Sequence, residues 1–408
     1  MAHRQVVSRR DFLRLAAAVG GAAGLGACAP GASAPPFVRQ PIKIGASIAA
    51  TGSYGRTGLY QLEAYELWEK QVNARGGLLG RPVRLIIRDD QSDPSTGEKL
   101  YEQLITEDEV DLILGPYSSQ VTQAAANVAE KYGYPMLAAG ASASELWTTG
   151  DKKYLFGLYS VAERYFVGVL ETAEREGYRT IAVVHENTLF PQSTAQGTIK
   201  LARDKGLQVV LVEPYPVRVT DVSSLIQKAK SLNAEVLVGG SYLPDALLIT
   251  RQARDLGYSP KLMAFSVAAA MPDYGEALGK DADYVFGPSM WEPELQTPGN
   301  QEFVRAYKEL AGREPDYHAA AGYSACQVLE AAVTQLQSLD NRRIRDWLAS
   351  AEMETILPGK FRVDVNGMII GHEILTIQWQ SGRKVVVWPA KHASGSYRLP
   401  TPAWSQRA

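Results

Sequence analysis

Two adjacent serines, Ser118 and Ser119, have the type and position that suit the binding of an anion. They follow a short apolar run at 110–114 and precede a helical pattern that begins near residue 121. The first N–H groups of a helix have no partner inside it, and the helix dipole places partial positive charge there. A serine hydroxyl adds one more donor, so the pair predicts a site for a carboxylate. The same serines also suit capping of the helix, and the two roles are compatible.

Aromatic residues cluster on the loops that would surround this position. A single ring of this kind serves packing more often than binding, but several rings that converge form the apolar wall of a ligand pocket. The sequence therefore predicts an aromatic pocket around the serines. Its candidate members are Tyr54, Tyr117, Trp147, Tyr159, Phe190 and Tyr242.

Patterns that would indicate catalysis are weak. The segment 52–58 has the spacing G-x-x-G-x-x-G rather than that of a dinucleotide-binding turn, and no acidic residue follows it at the distance that a ribose requires. The sequence contains no G-x-S-x-G elbow, and its five histidines are scattered without the spacing of metal ligands. We expect a binding protein rather than an enzyme, with no cofactor and no metal.

The N-terminal residues read as an export and anchoring signal. Arg9 and Arg10 form a twin-arginine motif, and a run rich in Leu, Ala and Gly follows at 15–27. This run is too short for a permanent span of a ~30 Å hydrocarbon core but suits a signal peptide. It ends at Cys28, preceded by small residues, which predicts cleavage after residue 27 and attachment of a lipid to the Cys28 thiol. A Pro- and Ala-rich tether at 28–40 would then link the lipid to the folded part.

Length and charge limit the remaining possibilities. About 380 residues follow the predicted cleavage site, which is more than one hydrophobic core usually serves, so two domains are expected. Residues 1–27 carry four arginines and one aspartate, so a formal charge of −2 for the whole chain becomes about −5 afterwards. A mildly acidic chain with no basic run offers no surface for nucleic acid. Only one other cysteine, Cys326, would remain, so no internal disulfide is expected.

The elements that must position these residues alternate regularly. From residue 41, β-branched runs alternate with amphipathic helical stretches, and a second series of the same kind begins after residue 160. This pattern predicts an α/β protein with two doubly wound parallel sheets. The tail differs, because runs at 361–364, 373–379 and 384–388 are separated by turn signals and predict antiparallel strands.

In the order and spacing of its segments the chain resembles the leucine/isoleucine/valine-binding family of ABC importer receptors, which have the type I periplasmic-binding fold. The resemblance spans nearly the whole chain after the signal. The segments that carry it are 44–58, Val72–Gly80, Asp89–Pro94, Gly115–Ser119, 239–240, Arg251–Gly257 and 361–367.

The resemblance implies two lobes that close over a ligand and a chain that crosses between them three times. Lobe one would comprise 41–158 and 289–365, and lobe two 159–288 and 366–408. It further implies that Gly140 offers a backbone carbonyl and Ser142 a hydroxyl to the ammonium group of a ligand. The implied partners are a small-molecule ligand and the permease subunits of an importer, at the extracytoplasmic face of the membrane.

One position departs from the family pattern. Where the family carries an acidic residue for the ligand ammonium, this chain has Ser266, and Glu186 or Asp245 are the candidates to replace that acid. The departure leaves an amino acid, an aromatic carboxylate, an amide or a urea-like compound open as ligand. A receptor that serves signalling rather than transport would have the same sequence features.

Overall fold

A computed structural model of the chain describes residues 40–407. Arg9, Arg10, Cys28 and nearly all of the predicted tether therefore lie outside the described residues. None of the helices within the described range is both long and apolar enough to cross a bilayer.

Strands and helices alternate through most of the chain. The strands are β1 (Ile42–Ile48), β2 (Val83–Asp89), β3 (Leu112–Ile113), β4 (Met136–Ala138), β5 (Leu155–Gly157), β6 (Thr180–Glu186), β7 (Gln208–Tyr215), β8 (Val236–Gly240), β9 (Leu262–Phe265), β10 (Val285–Ser289), β11 (Leu375–Gln380) and β12 (Arg383–Trp388). The helices are α1 (Gly55–Ala74), α2 (Pro94–Thr106), α3 (Ser119–Tyr132), α4 (Glu145–Thr148), α5 (Val167–Arg175), α6 (Leu189–Asp204), α7 (Ser223–Ser231), α8 (Leu243–Asp255), α9 (Pro272–Leu278), α10 (Asn300–Ala311), α11 (Tyr317–Leu336) and α12 (Asn341–Leu348).

The first series of strands forms two parallel pieces rather than one continuous sheet. One piece has the order β2-β1-β3, and β4 pairs with β5 separately. Between the pieces, the N–H of Gly115 donates to Leu137 O at 3.2 Å, and Tyr117 bridges to Gly140. Pro116 lies between these contacts and has no N–H to donate, so the ladder cannot continue through it. The predicted sheet is thus present but interrupted where the loops of interest begin.

The second series forms one sheet of seven strands, in the order β12-β11-β10-β9-β8-β6-β7. The strands β6 to β10 pair in parallel, whereas β11 and β12 pair antiparallel, as the tail pattern predicts. The turn at Ser381 and Gly382 has φ angles of 52° and 74°, the left-handed conformation typical of a tight hairpin. The predicted strand at 361–364 is wrong, because its residues make only isolated bridges, Met353 to Phe361 and Val363 to Ile369.

The last part of the chain contacts segments of both β-α series. The N–H of Gly157 donates to Gly367 O at 2.8 Å, and Ser289 on β10 pairs with Leu375 on β11. α11, which belongs to the last part of the chain, packs against α1 near its start and buries Cys326 as a free thiol. The α/β fold with parallel sheets is therefore confirmed.

Candidate functional site

The N-terminus of α3 is built by the two serines, each in a different role. Ser118 has a φ of 80°, and its Oγ accepts a hydrogen bond from the N–H of Val121, so it is the cap of the helix. Ser119 Oγ accepts from the N–H groups of Ser142 and Ala143, both at 3.2 Å. A hydroxyl has two acceptor positions and one hydrogen to donate. Both acceptor positions of Ser119 are used by protein, so the hydrogen is what this side chain has left for a ligand.

The loop after β4 is held against this helix end. Gly140 O accepts from the N–H of Ser118 at 3.1 Å, and a Cβ at Gly140 would lie 2.6 Å from Gln61 Oε1, closer than real contacts allow. Only glycine therefore fits this position. Ser142 Oγ shares a hydrogen bond of 3.0 Å with the hydroxyl of Tyr165. The loop thus brings one serine hydroxyl from each side to the same small volume.

A small cavity lies between the two β-α series at this point. Its volume is about 10 Å³, roughly the space of a single water molecule. We name it the first cavity. It is lined by Tyr117, Ser119, Gly140, Ser142, Tyr159, Tyr165, Phe190, Tyr242, Val267, Tyr317 and His318. The structure therefore brings together seven of the residues named from the sequence, namely Tyr117, Ser119, Gly140, Ser142, Tyr159, Phe190 and Tyr242.

Aromatic rings fill most of this space. Tyr165 meets Phe190 edge to face with ring centres 5.2 Å apart, and Phe190 lies 5.7 Å from Tyr242. On the opposite wall Tyr159 meets Tyr317 at 5.9 Å and a right angle. Edge-to-face pairs of this kind are favourable and leave ring faces available to a flat apolar ligand.

Sequence reasoning missed His318, Tyr317, Tyr165 and Val267. His318 Nδ1 lies 2.8 Å from Asp316 Oδ2, and Asp316 Oδ1 caps α11 by accepting from two backbone N–H groups. His318 is buried and lies 5.4 Å, ring to ring, from Tyr117. The sequence signal that could have identified His318 is the Asp-x-His spacing, in which the aspartate stands directly before a helix. A histidine held by an aspartate at a helix N-terminus differs from the scattered histidines among which it was counted.

Tyr54 and Glu186 line a different space, which we name the second cavity. It has a volume of about 330 Å³ and is lined by Gly52, Ser53, Tyr54, Glu186, Arg218, Val219, Tyr242, Pro244 and Asp245. Tyr242 lines both cavities, and its ring lies 4.3 Å from that of Tyr54. The two candidate acids are thus separated from Ser119 by a tyrosine ring.

Burial perturbs both acids of the second cavity. Glu186 Oε1 accepts from the hydroxyls of Tyr54 at 3.2 Å and Thr188 at 2.7 Å, yet burial raises the pKa of the Glu186 carboxyl. Asp245 accepts a short hydrogen bond from the hydroxyl of Tyr215. Burial raises the pKa of Asp245 to about 7, and the nearby charge of Glu186 adds to the rise. In both groups burial therefore disfavours the ionised form of the carboxyl.

Ser266 and Trp147 lie outside both cavities. Ser266 is fully buried, and its Oγ both accepts from the N–H of Ser241 and donates to Ser241 O, each at 2.9 Å. Its hydroxyl therefore both donates to and accepts from the loop after β8. Trp147 is buried in a core cluster with α2 and α3.

Comparison with known proteins agrees with this geometry. A family model described as "Periplasmic binding protein" matches residues 41–384. The Leu/Ile/Val-binding protein homolog 7 of Brucella suis biovar 1 is 28% identical over 378 residues, which cover 88% of this chain and 94% of that protein.

Two solved structures have the same fold. The branched-chain amino acid binding protein LivJ of Streptococcus pneumoniae, in complex with isoleucine, is similar with a TM-score of 0.77 and 21% identity over 86% of this chain and all of that one. A solute-binding protein of an ABC transporter from Rhodopseudomonas palustris, in complex with benzoate, has a TM-score of 0.75 and 18% identity over 89% of this chain and 97% of that one. These relatives are binding proteins rather than enzymes. The chain therefore belongs to the periplasmic binding protein family.

Proposed function

We propose that this protein binds a small aromatic carboxylate in the first cavity and delivers it to an ABC importer. One observation carries the proposal. Within residues 40–407, the first cavity is lined by serine hydroxyls and aromatic rings, and no carboxylate lines it. Such a lining suits a ligand with one anionic end and a flat apolar body.

The carboxylate of the ligand would lie at the N-terminus of α3. The Ser119 hydrogen is free to donate, because both acceptor positions of its oxygen are used by the loop at 142–143. The positive end of the helix dipole favours the same charge. The ring of the ligand would then lie among Tyr159, Phe190 and Tyr242. A similar solved structure is in complex with benzoate, which supports an aromatic carboxylate as the ligand.

An aliphatic amino acid is the second candidate, supported by the relative in complex with isoleucine. Its ammonium group would need an acceptor beside the carboxylate site. Gly140 O already accepts from Ser118, and Glu186 lines the other cavity beyond Tyr242. A buried ammonium without an anionic partner is costly, so we expect an amino acid to bind more weakly than an aromatic acid. An amide or urea-like ligand would bind without the charge-assisted contribution of Ser119.

Closure of two lobes is part of the proposal. We assign 41–158 and 289–365 to lobe one and 159–288 and 366–408 to lobe two. Contacts between them include Tyr54 Oη to Glu186 Oε1 at 3.2 Å and Tyr60 Oη to Asp273 Oδ2 at 2.7 Å. A cavity the size of one water molecule cannot admit a benzoate ring. The lobes must therefore separate for entry and, with a ligand between them, close less far than in the structure described; a ligand that binds this less closed form more tightly than the open form drives closure.

Export and anchoring complete the proposed role. We propose export by the twin-arginine route through Arg9 and Arg10, and attachment to the membrane through a lipid on Cys28. The protein would work at the extracytoplasmic face of the membrane, where it meets the permease subunits of the importer. A receptor for signalling would use the same closure, and genes for a permease and an ATPase beside this one would favour transport.

Isothermal titration of the purified protein with benzoate, isoleucine and benzamide tests the proposed ligand class. We expect benzoate to bind most tightly, and at 100 times its dissociation constant to stabilise the protein by ~2.7 kcal/mol. Ser119→Ala should weaken benzoate binding by about 10- to 150-fold, the value of one charge-assisted hydrogen bond. Ser144→Ala is the matched control, because Ser144 lies on the same loop but outside the cavity lining. Tighter binding of isoleucine than of benzoate would refute the aromatic ligand.

A further inference from the structure

The second cavity is large enough for a ligand of its own. Its volume is about 330 Å³, whereas a cavity of about 150 Å³ in another protein holds benzene. Residues of both proposed lobes line it: Ser53 and Tyr54 from one, and Glu186, Tyr242 and Asp245 from the other. At its mouth the Nε of Arg218 donates to Ser53 Oγ at 3.1 Å.

The two carboxylates of this cavity have no basic partner within residues 40–407. Glu186 is 4% exposed and Asp245 is 7% exposed, and every recorded side-chain partner of either is a hydroxyl group. Glu186 Oε2 has no hydrogen-bond partner within the same part of the chain. Arg218 lines the cavity, but it bonds to Ser53 and forms no ion pair with either acid. Buried carboxylates are costly unless a cation or several donors compensate them.

Two other buried acids of the described residues are compensated by basic groups. Glu292 is 1% exposed and pairs with Lys384 Nζ at 2.8 Å, and the fully buried Asp316 lies 2.8 Å from the His318 ring nitrogen. Asp90, which is also fully buried, has no basic partner but accepts from Ser47 Oγ and from the N–H of Ser92. The acids of the second cavity differ from all three, because they line an open space in which the one basic residue, Arg218, bonds to Ser53 and pairs with neither of them.

We propose that the second cavity binds a small organic cation, an ammonium or guanidinium group, between Glu186 and Asp245 and beside the rings of Tyr54 and Tyr242. The free Oε2 of Glu186 accepts a hydrogen bond from the cation, and the tyrosine faces add a cation–π contact. A metal ion fits the site less well, because no group of three or more metal-ligating side chains exists in the described part of the chain.

The cation has two possible sources. It is either a separate amine or the far end of a longer solute whose carboxylate is held by Ser119. The second source rests on the proposed function, and the first does not. Since Tyr242 lines both cavities, a rotation of this one ring would join them.

Titration calorimetry with benzylamine and its neutral analogue benzyl alcohol tests the cation site in the full chain. We expect benzylamine to bind at least 10-fold more tightly than benzyl alcohol, and Glu186→Gln to remove most of that preference. Glu213→Gln is the control, because Glu213 lies on the neighbouring strand β7, pairs with Lys228, and does not line the cavity. Should Glu186→Gln fail to fold, Asp245→Asn provides the same measurement. Equal binding of the two probes, or no binding of benzylamine to the parent, overturns the proposal.

A third probe, 4-(aminomethyl)benzoate, carries a carboxylate and an ammonium group at opposite ends and distinguishes the two sources. If both charges belong to one solute, it binds more tightly than benzoate or benzylamine, and Ser119→Ala and Glu186→Gln each weaken it. If the cation is separate, 4-(aminomethyl)benzoate binds no more tightly than the better of benzoate and benzylamine, and only one of the two substitutions weakens its binding. Loss of the Ser119 effect on benzoate alone would refute the proposed function and leave the cation site standing.

Discussion

Replacing Asp245 by asparagine should change how the stability of the protein depends on pH. Burial raises the pKa of the Asp245 carboxyl from its usual 3.8 to about 7, and Glu186 adds negative charge nearby while the Tyr215 hydroxyl opposes the rise. Arg218 lines the same cavity but makes no ion pair with Asp245. Because the folded pKa lies above the unfolded one, Asp245 contributes stability below pH 3.8 that is lost as pH rises through 7.

The size of the effect follows from the two pKa values. A difference of about three pH units corresponds to roughly 4 kcal/mol over the full range, of which about 2 kcal/mol is lost between pH 5 and pH 7. Asparagine keeps an oxygen that can accept from Tyr215 but cannot ionise. The free energy of unfolding of the variant minus that of the parent should therefore be about 3 kcal/mol larger at pH 8 than at pH 5.

Urea denaturation, followed by tryptophan fluorescence at both pH values, measures this difference. Tyr215→Phe is the companion variant, because it removes a hydrogen bond that lowers the pKa of Asp245. Its free energy of unfolding should fall further between pH 5 and pH 8 than that of the parent. If the free energies of unfolding of Asp245→Asn and the parent differ by the same amount at pH 5 and at pH 8, the raised pKa of Asp245 is refuted.

Three further predictions concern membrane attachment, export and closure of the proposed lobes. Cys28→Ser should release the protein into the soluble extracytoplasmic fraction, and unchanged membrane fractionation would contradict the lipid anchor. Replacing Arg9 and Arg10 together by lysine should block export, whereas unchanged export would indicate the general secretory route. Asp273→Asn weakens contacts to Arg56 and Tyr60 across the proposed lobes. Its radius of gyration without ligand should exceed the parent's in small-angle scattering and shrink on adding benzoate; equal radii throughout would count against closure.

Local pattern predicted the elements well where one stretch of sequence decides them. The β-branched runs at 42–48, 208–215 and 262–265 predict strands, and β1, β7 and β9 have these bounds. The helical patterns at 57–74 and 121–132 likewise lie within two residues of the bounds of α1 and α3. β3 is shorter than predicted, and β5 was not predicted. A strand of three residues such as β5 exists only because β4 is available to pair with it, and the residues of β5 themselves do not indicate that pairing.

The candidate site was predicted in part, for a related reason. Ser119, Ser142 and Tyr242 follow strands whose carboxyl ends meet, so strand order alone indicates that they lie close together. Tyr317 and His318 come from the start of a helix more than a hundred residues later than Tyr165, and only the packing of that helix against α1 brings them to the cavity. Nothing local to these residues indicates that packing.

The placement of Glu186 shows what a linear pattern cannot decide, and it bears on the ligand. Proximity to the cleft predicted Glu186 as a replacement for the acid absent at Ser266, but the ring of Tyr242 stands between Glu186 and the hydroxyl of Ser119. An α-amino acid has both charges on one carbon and cannot reach both groups across a ring. A ligand that satisfies Ser119 and Glu186 together must carry its charges at opposite ends of a longer body, and one that satisfies Ser119 alone needs no positive charge. We therefore expect discrimination against simple α-amino acids, caused by a tyrosine ring and not by a missing carboxylate alone.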